Sequence, residues 1–260
     1  MTLLKMNGIK RHYEMASGVV KALDGINLTI QEGERIILLG PSGSGKTTLL
    51  NCLSALDTPT EGTYIFDGKE VPQSSTSKPR WRSGFRWLNP IESILLFPLE
   101  YFIFSRPIAK ASEMMTSFRR ENIGYVFQFF NLLQDLTILE NLLLIQELAG
   151  GRDEKHARDL LKLVGLEDEI DRFPAEISGG QQQRVAIARS IAKKPRLLLG
   201  DELTGNLDSK TSAMVMEVLV KACDSEGITC VFVTHDESLI NYATRVIRID
   251  SGRVLSDEIV

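Results

Sequence analysis

Apolar and polar positions along this 260-residue chain fall into short blocks with two different periods. Residues 2–30 alternate apolar and polar side chains in brief pieces, with Gly8, Gly18 and Gly25 between them. Period-2 alternation interrupted by glycine predicts short strands in an antiparallel layer. Arg35-Ile-Ile-Leu-Leu39 has no polar face, which predicts a central strand covered on both sides. It stops at Gly40 and a glycine-rich turn, after which 46–56 reads as a helix. Glu61–Phe66 predicts another strand, turned by Asp67-Gly68.

Further along, 123–127 predicts a strand. Ile138–Leu148 and 154–164 are leucine-rich with helical spacing, which predicts a small helical subdomain over about 129–180. A helix over 181–193 carries Val185, Ala188 and Ala192 on one side. Leu197-Leu-Leu199 and 228–233 are again buried-strand runs, separated by a helix over 209–224. Strands that alternate with helices imply parallel crossovers and an α/β fold, here as a single domain over 1–260.

Composition narrows the function. Hydrophobic residues at 43% and charged residues at 25% describe a folded chain rather than a disordered one. A net charge of −4 argues against a globally basic nucleic-acid binder. Cys52, Cys223 and Cys230 lack metal-ligand spacing, so neither a zinc ribbon nor a disulfide scaffold is expected, and a reducing compartment is. Residues 1–14 lack the apolar core of a secretory signal. The most apolar stretch, 87–108, contains Pro90, Glu92, Pro98, Glu100 and Arg106 and is not expected to span a bilayer. A soluble cytoplasmic protein is the expectation.

Three motifs carry chemistry. Gly40-Pro41-Ser42-Gly43-Ser44-Gly45-Lys46-Thr47 matches G-x-x-x-x-G-K-[ST] and lies between a buried strand and a helix. Glycines let backbone N–H groups turn inward around phosphate oxygens, and the helix start adds its positive dipole end. Lys46 then reaches the β/γ phosphates and the Thr47 hydroxyl can ligate Mg²⁺. Asp201 and Glu202 follow the run at 197–199. At a strand end facing the nucleotide, Asp201 suits Mg²⁺, and Glu202 suits polarising a water for attack on the γ-phosphate. Ser178-Gly179-Gly180-Gln181 is an N-cap residue followed by two glycines. It makes a second phosphate-binding helix start in one chain, which one triphosphate needs only if two chains face each other.

Together these residues resemble the ATP-binding-cassette (ABC) transporter ATPases, whose signature reads L-S-G-G-Q. The resemblance implies a P-loop NTPase (RecA-like) core with an antiparallel β subdomain and a helical subdomain. It places Tyr13 where the family has an aromatic ring stacked on adenine. The adjoining Thr48 joins the nucleotide-contacting positions. Gln128, closing Gly124-Tyr-Val-Phe-Gln128, matches the Q-loop glutamine that touches Mg²⁺ and links to the membrane subunit. Asp208, in Gly205-Asn-Leu-Asp208, resembles the D-loop, and His235 matches a sensor of the γ-phosphate. Within the family, Leu56-Asp57-Thr-Pro-Thr-Glu-Gly62 and Leu139-Glu-Asn141 are similar to the ATPases of lipoprotein-releasing, macrolide-export and cell-division complexes. The implied protein binds ATP and Mg²⁺ and hydrolyses ATP as a head-to-tail homodimer. It works with an integral membrane permease subunit, peripheral on the cytoplasmic face of the cell membrane. Nucleic acid is not an expected partner. The alternatives are a soluble cassette acting on nucleic acid or ribosomes, which usually has tandem cassettes or a long coiled coil, and a binding-only regulatory cassette.

The chain departs from that pattern at several points. Leu203 stands where the subgroup usually has proline after the acid pair, and Gly200 where it has alanine. Both changes are expected to loosen the turn that aims Glu202 and to slow hydrolysis. Ile177 for leucine is a mild change. Residues 72–118 run longer than is usual. They combine Lys78, Arg80, Arg82 and Arg86 with Trp81, Phe85 and Trp87, then a helix-start pattern at Asn89-Pro90-Ile91-Glu92. Such a stretch can dock on a membrane partner or on headgroups, fold back over its own domain, or stay a loop. The first is expected. Deleting 79–108 is therefore expected to leave ATP binding in place and to weaken association with the membrane partner in a pull-down; unchanged association refutes that reading.

Overall fold

Alternation along single strands sets the architecture. In the computed structural model, residues 1–16, 18–71, 110–127, 130–203, 205 and 209–260 are described. Strand β3 (Arg35–Leu39) buries Ile36 and Leu38 on one face and Ile37 and Leu39 on the other. Successive side chains point to opposite faces, so one apolar run feeds two cores. The strands β7 (Leu197–Asp201) and β8 (Thr229–Val233) split the same way: Leu197, Leu199, Val231 and Val233 face one core, Leu198, Cys230 and Phe232 the other. These are the buried strands of a six-stranded sheet in the order β10-β9-β3-β8-β7-β6. The edge strand β6 is Ile123–Val126, and β9 (Arg245–Asp250) pairs parallel to β3. The last strand, β10 (Arg253–Ile259), is antiparallel to β9.

The second sheet, β2-β1-β4-β5, is antiparallel. Instead of short pieces, residues 2–30 form two long strands, β1 (Thr2–Met15) and β2 (Gly18–Gln31). Gly8 and Gly25 have positive φ and sit where the register shifts around Ile9–Ile26. They mark bulges that bend the ribbon rather than strand ends. Strand β4 (Glu61–Phe66) and the short β5 (Lys69–Glu70) complete the sheet. It closes over helix α1 (Lys46–Leu53) to form one core with Leu3, Met6, Ile30, Leu49 and Leu50.

Helix α2 (Lys110–Asn122) joins that core through Met115. Phe118 packs edge-on against Tyr64 and Phe66 at ring distances of 6.2 and 5.1 Å. From Met115 onward, the long stretch thus packs on its own domain; 72–109 lie outside the described residues. The other sheet face carries α3 (Ile138–Leu148), α4 (Glu154–Leu163), α5 (Gly179–Ile191) and α6 (Ser209–Glu226) in one continuous cluster. Strands β9 and β10 were not expected from the sequence, although Ser251 and Gly252, both at positive φ, form the tight turn between them. Among the described residues no helix is long and apolar enough to cross a membrane.

Asn141 ties the helical part together. It is 1% exposed and accepts from the Leu133 amide at 2.9 Å. It also donates to the carbonyls of Leu133, Leu136 and Thr137 at 3.1, 3.1 and 3.0 Å. Cutting this buried amide takes that partner from the Leu133 amide and the Leu136 carbonyl, while the Leu133 and Thr137 carbonyls keep backbone donors at 3.3 and 2.9 Å. Asn141→Ala is expected to lower unfolding stability by about 2–3 kcal/mol in a urea titration.

Candidate functional site

The loop 40–45 joins a buried strand to a helix start, and its glycines are sterically required. A Cβ on Gly40 lies 2.0 Å from the Ile249 carbonyl oxygen, and one on Gly45 lies 2.3 Å from that of Ala22. Gly45 also takes φ 102 at the N-cap of α1, where no side chain caps the helix, leaving the first amides to a ligand. Lys46 is buried and curls over the loop, donating to the Gly40 and Pro41 carbonyls at 2.8 Å each and to Ser44 Oγ at 3.5 Å. An ammonium held by neutral carbonyl and hydroxyl oxygens beside open amides is suited to receive phosphate oxygens. Pro41, Ser42, Gly43, Thr47 and Thr48 complete the loop and the first turn of α1.

The two acids sit at the end of β7, which is hydrogen-bonded to β8, itself next to β3. Asp201 lies with the loop: its carboxylate accepts a hydrogen bond from Thr47 and feels the Lys46 charge. Burial, aided by the Glu202 charge, nevertheless holds the Asp201 carboxyl above its ordinary range. Thr47 and Asp201 offer hard oxygen donors of the kind Mg²⁺ takes together with phosphate oxygens. Among the described residues no group of three or more His, Cys, Asp or Glu could hold a metal alone.

Glu202 has φ 47, a conformation rare for a residue with a side chain. Its amide donates to the Val233 carbonyl at 3.0 Å, and its own carbonyl accepts from Gly205 at 3.1 Å. These bonds hold the turn and aim the carboxylate at His235, whose Nδ1 is 3.4 Å from Oε1. Such backbone strain, about 1–3 kcal/mol, concentrates at functional sites. Gln128 and Asp208, singled out from the sequence, lie outside the described residues.

The signature segment forms the N-terminus of α5, two residues earlier than the sequence reading. Ser178 Oγ accepts from the Gln181 amide at 3.3 Å, while Gln181 Oε1 accepts from the Ser178 amide at 2.9 Å. This reciprocal capping box leaves the amides of Gly179 and Gly180 for a ligand. Tyr13 stands near the C-terminal end of β1, its hydroxyl also within hydrogen-bonding reach of Thr48 in the first turn of α1. Its hydroxyl donates to Asp57 at 2.6 Å, and the Arg11 guanidinium lies 4.5 Å from its ring centre. Arg11 itself pairs with Asp57 at 2.9 and 2.8 Å through Nε and Nη2. Sequence reasoning assigned no role to Arg11 or Asp57. Arg11 shares a strand face with Tyr13 at i, i+2, but Asp57 reaches them only through the fold.

A comparison with protein families matches residues 23–94 and 103–205 to the ABC transporter family. The chain belongs to the ABC transporter family. The family's match breaks at 95–102, inside the long stretch. The lipoprotein-releasing system ATP-binding protein LolD of Geobacter metallireducens is 39% identical over 259 residues, 98% of this chain and 99% of LolD. The macrolide export ATP-binding/permease protein MacB of Syntrophobacter fumaroxidans is 37% identical over 97% of this chain, which spans 31% of MacB. Among solved structures, the dimeric post-hydrolysis state of the ATP-binding cassette MJ0796 bound to ADP and Pi has a TM-score of 0.75. Its identity is 35%, over 99% of this chain and 98% of that one.

The cassette also has a groove that the sequence did not disclose. A cavity of about 160 Å³ opens beside β6 and α3, lined by Leu56, Tyr125, Phe127, Leu144, Ile145 and Leu148. Arg119, Arg189 and Lys193 line it too. Arg119 donates to the Ala55 carbonyl at 2.6 Å, Arg189 to those of Asn131 and Phe130 at 2.5 and 3.1 Å, and Lys193 to that of Arg119 at 2.9 Å. Burial pulls Arg189 down to about 10. Burial, helped by Arg120 and Arg119, pulls Lys193 from 10.5 to about 8. Between those two values the unfolded chain keeps a proton that the folded chain has released, so stability rises with pH across that window. Relative to Lys193→Met, the native chain is expected to gain on the order of 3 kcal/mol of unfolding free energy between pH 8 and pH 10.5. Parallel profiles in denaturant titrations would contradict a desolvated Lys193.

Proposed function

We propose that this chain is the ATP-hydrolysing subunit of a membrane transport or remodelling complex. The carrying observation is the convergence of Lys46, Asp201, Glu202 and His235 at the ends of the adjacent strands β3, β7 and β8. Lys46 and the loop amides bind the β/γ phosphates. Thr47 and Asp201 hold Mg²⁺, and when bound the ion neutralises phosphate charge. Glu202 orients and polarises the attacking water, and His235 senses the γ-phosphate while holding the Glu202 carboxylate. Catalysis is positioning plus electrostatics. Tyr13, braced by Arg11 and Asp57, offers a ring to the adenine.

A second copy supplies the other half of the site. The amides at Gly179 and Gly180, with Ser178 and Gln181, cover the γ-phosphate held by the partner cassette. Gln128 and Asp208 belong to this reading through the family pattern. The dimeric MJ0796 cassette with ADP and Pi supports both the dimer and turnover. The apolar groove beside β6, lined by Tyr125 and Phe127, receives the permease subunit. Its cationic rim favours a partner segment with acidic side chains or a helix C-terminus. LolD, named for a lipoprotein-releasing system, and MacB, named as a macrolide export ATP-binding/permease protein, support a place on the cytoplasmic face of the membrane.

Replacing Glu202 by glutamine keeps size and hydrogen bonding but removes the base. Steady-state hydrolysis is expected to fall by more than about 100-fold. ATP binding persists and an ATP-bound dimer accumulates in size-exclusion chromatography. Turnover at the native rate in that variant refutes the assignment.

A further inference from the structure

Leu203 and Gly200 are in mutual contact. A Cβ placed on Gly200 comes within 2.8, 2.9 and 2.9 Å of Leu203 Cδ1, Cδ2 and Cγ, so it meets nearly the whole isobutyl group. Side-chain carbons pack at about 3.5–4.0 Å, so the leucine and a methyl group at 200 exclude each other. Gly200 itself has little room to yield. It lies inside β7, in register with Val126 on one side and Phe232 on the other.

Leu203 is equally confined. It is 5% exposed and belongs to the core cluster with Ile177, Val185 and Val215. Its carbonyl accepts a hydrogen bond from Gln183 Nε2 at 2.9 Å, and Gln183 is 1% exposed on α5. The turn is therefore held by packing at the Leu203 side chain and by a buried amide at its carbonyl. Between these two residues stands Glu202 with its φ of 47.

We propose that Gly200 and Leu203 form one packing unit that sets the backbone of Glu202, which makes Leu203 a positioning residue for ATP hydrolysis. The inference rests on Glu202 as the group that polarises water. Leu203 has a free φ, and the space left by the missing methyl at 200 receives its side chain. Packing thereby replaces the restraint a proline ring supplies. The two departures seen in the sequence are a single compensated change, and the turn is not loosened by it.

The test is a double-mutant cycle on the full chain with Gly200→Ala, Leu203→Ala and both together. ATP hydrolysis, binding of a fluorescent ATP analogue and the melting midpoint are measured for each. Gly200→Ala alone is expected to displace Leu203 and lower kcat about tenfold while KM changes less than about twofold. In the double variant the methyl at 200 occupies space the leucine has left, so kcat recovers at least about fivefold over Gly200→Ala. Multiplicative, independent effects overturn the proposal. So does a native kcat in Gly200→Ala with only a lowered melting midpoint, which marks a purely structural contact. If Gly200→Ala does not fold, the double variant decides: folded and at least as fast as Leu203→Ala upholds the pair, unfolded overturns it. Activity lost in Glu202→Gln but unchanged in Gly200→Ala refutes this inference alone. A native chain without turnover, or turnover kept in Glu202→Gln, overturns the inference together with the reading it rests on.

Discussion

Burial of β3, β7 and β8 on both faces is the constraint on which the molecule depends. A strand with no polar face cannot sit at an edge exposed to water, so these three lie adjacent in the interior of one sheet. They are parallel, so their ends emerge at the same side. The phosphate loop, the acid pair and His235 each follow one of these ends. Residues separated by more than 150 positions thereby become neighbours, and no local motif has to bring them together. A doubly covered parallel sheet of this kind positions its ligand beyond the strand ends.

Close approach of backbone to backbone is the second requirement. The loop passes so near β9 and β2 that a single methyl at Gly40 or Gly45 collides with a carbonyl oxygen. The strand β9 is thus part of the site's frame, although it contributes no reacting group. Lys46 donates to the Gly40 and Pro41 carbonyls, which holds the ammonium against the loop. The strained Glu202 backbone is held similarly, from β8 through Val233 and from α5 through Leu203.

The helical face carries a second set of polar anchors. Arg119 is buried and Arg189 and Lys193 are half-buried on carbonyls around an apolar groove, and Asn141 anchors the segment at Leu133. Desolvated cations on carbonyl partners, as at Arg189 and Lys193, retain attraction for a negative group. The same helices share one core with the sheet, α5 with its signature amides included.

Much of this was legible in the chain alone, and the reason is local. Phosphate binding needs glycines, a lysine and a hydroxyl at set spacing, so 40–47 declare themselves wherever they fold. The capping box at 178–181 and the run of Arg35–Leu39 are likewise local patterns with one physical meaning. The sequence therefore determined the fold class, the phosphate loop, the acid pair and the signature helix. It also showed that Leu203 and Gly200 depart from the family. It did not determine that those two touch, because residues three apart in a turn meet only when the turn's φ angles bring them together. Asp57 bracing Tyr13, the cationic groove and the place of β9 against the loop were decided by tertiary structure as well. Each joins distant segments whose spacing carries no signal, and long-range contact is chosen by which faces must be buried together.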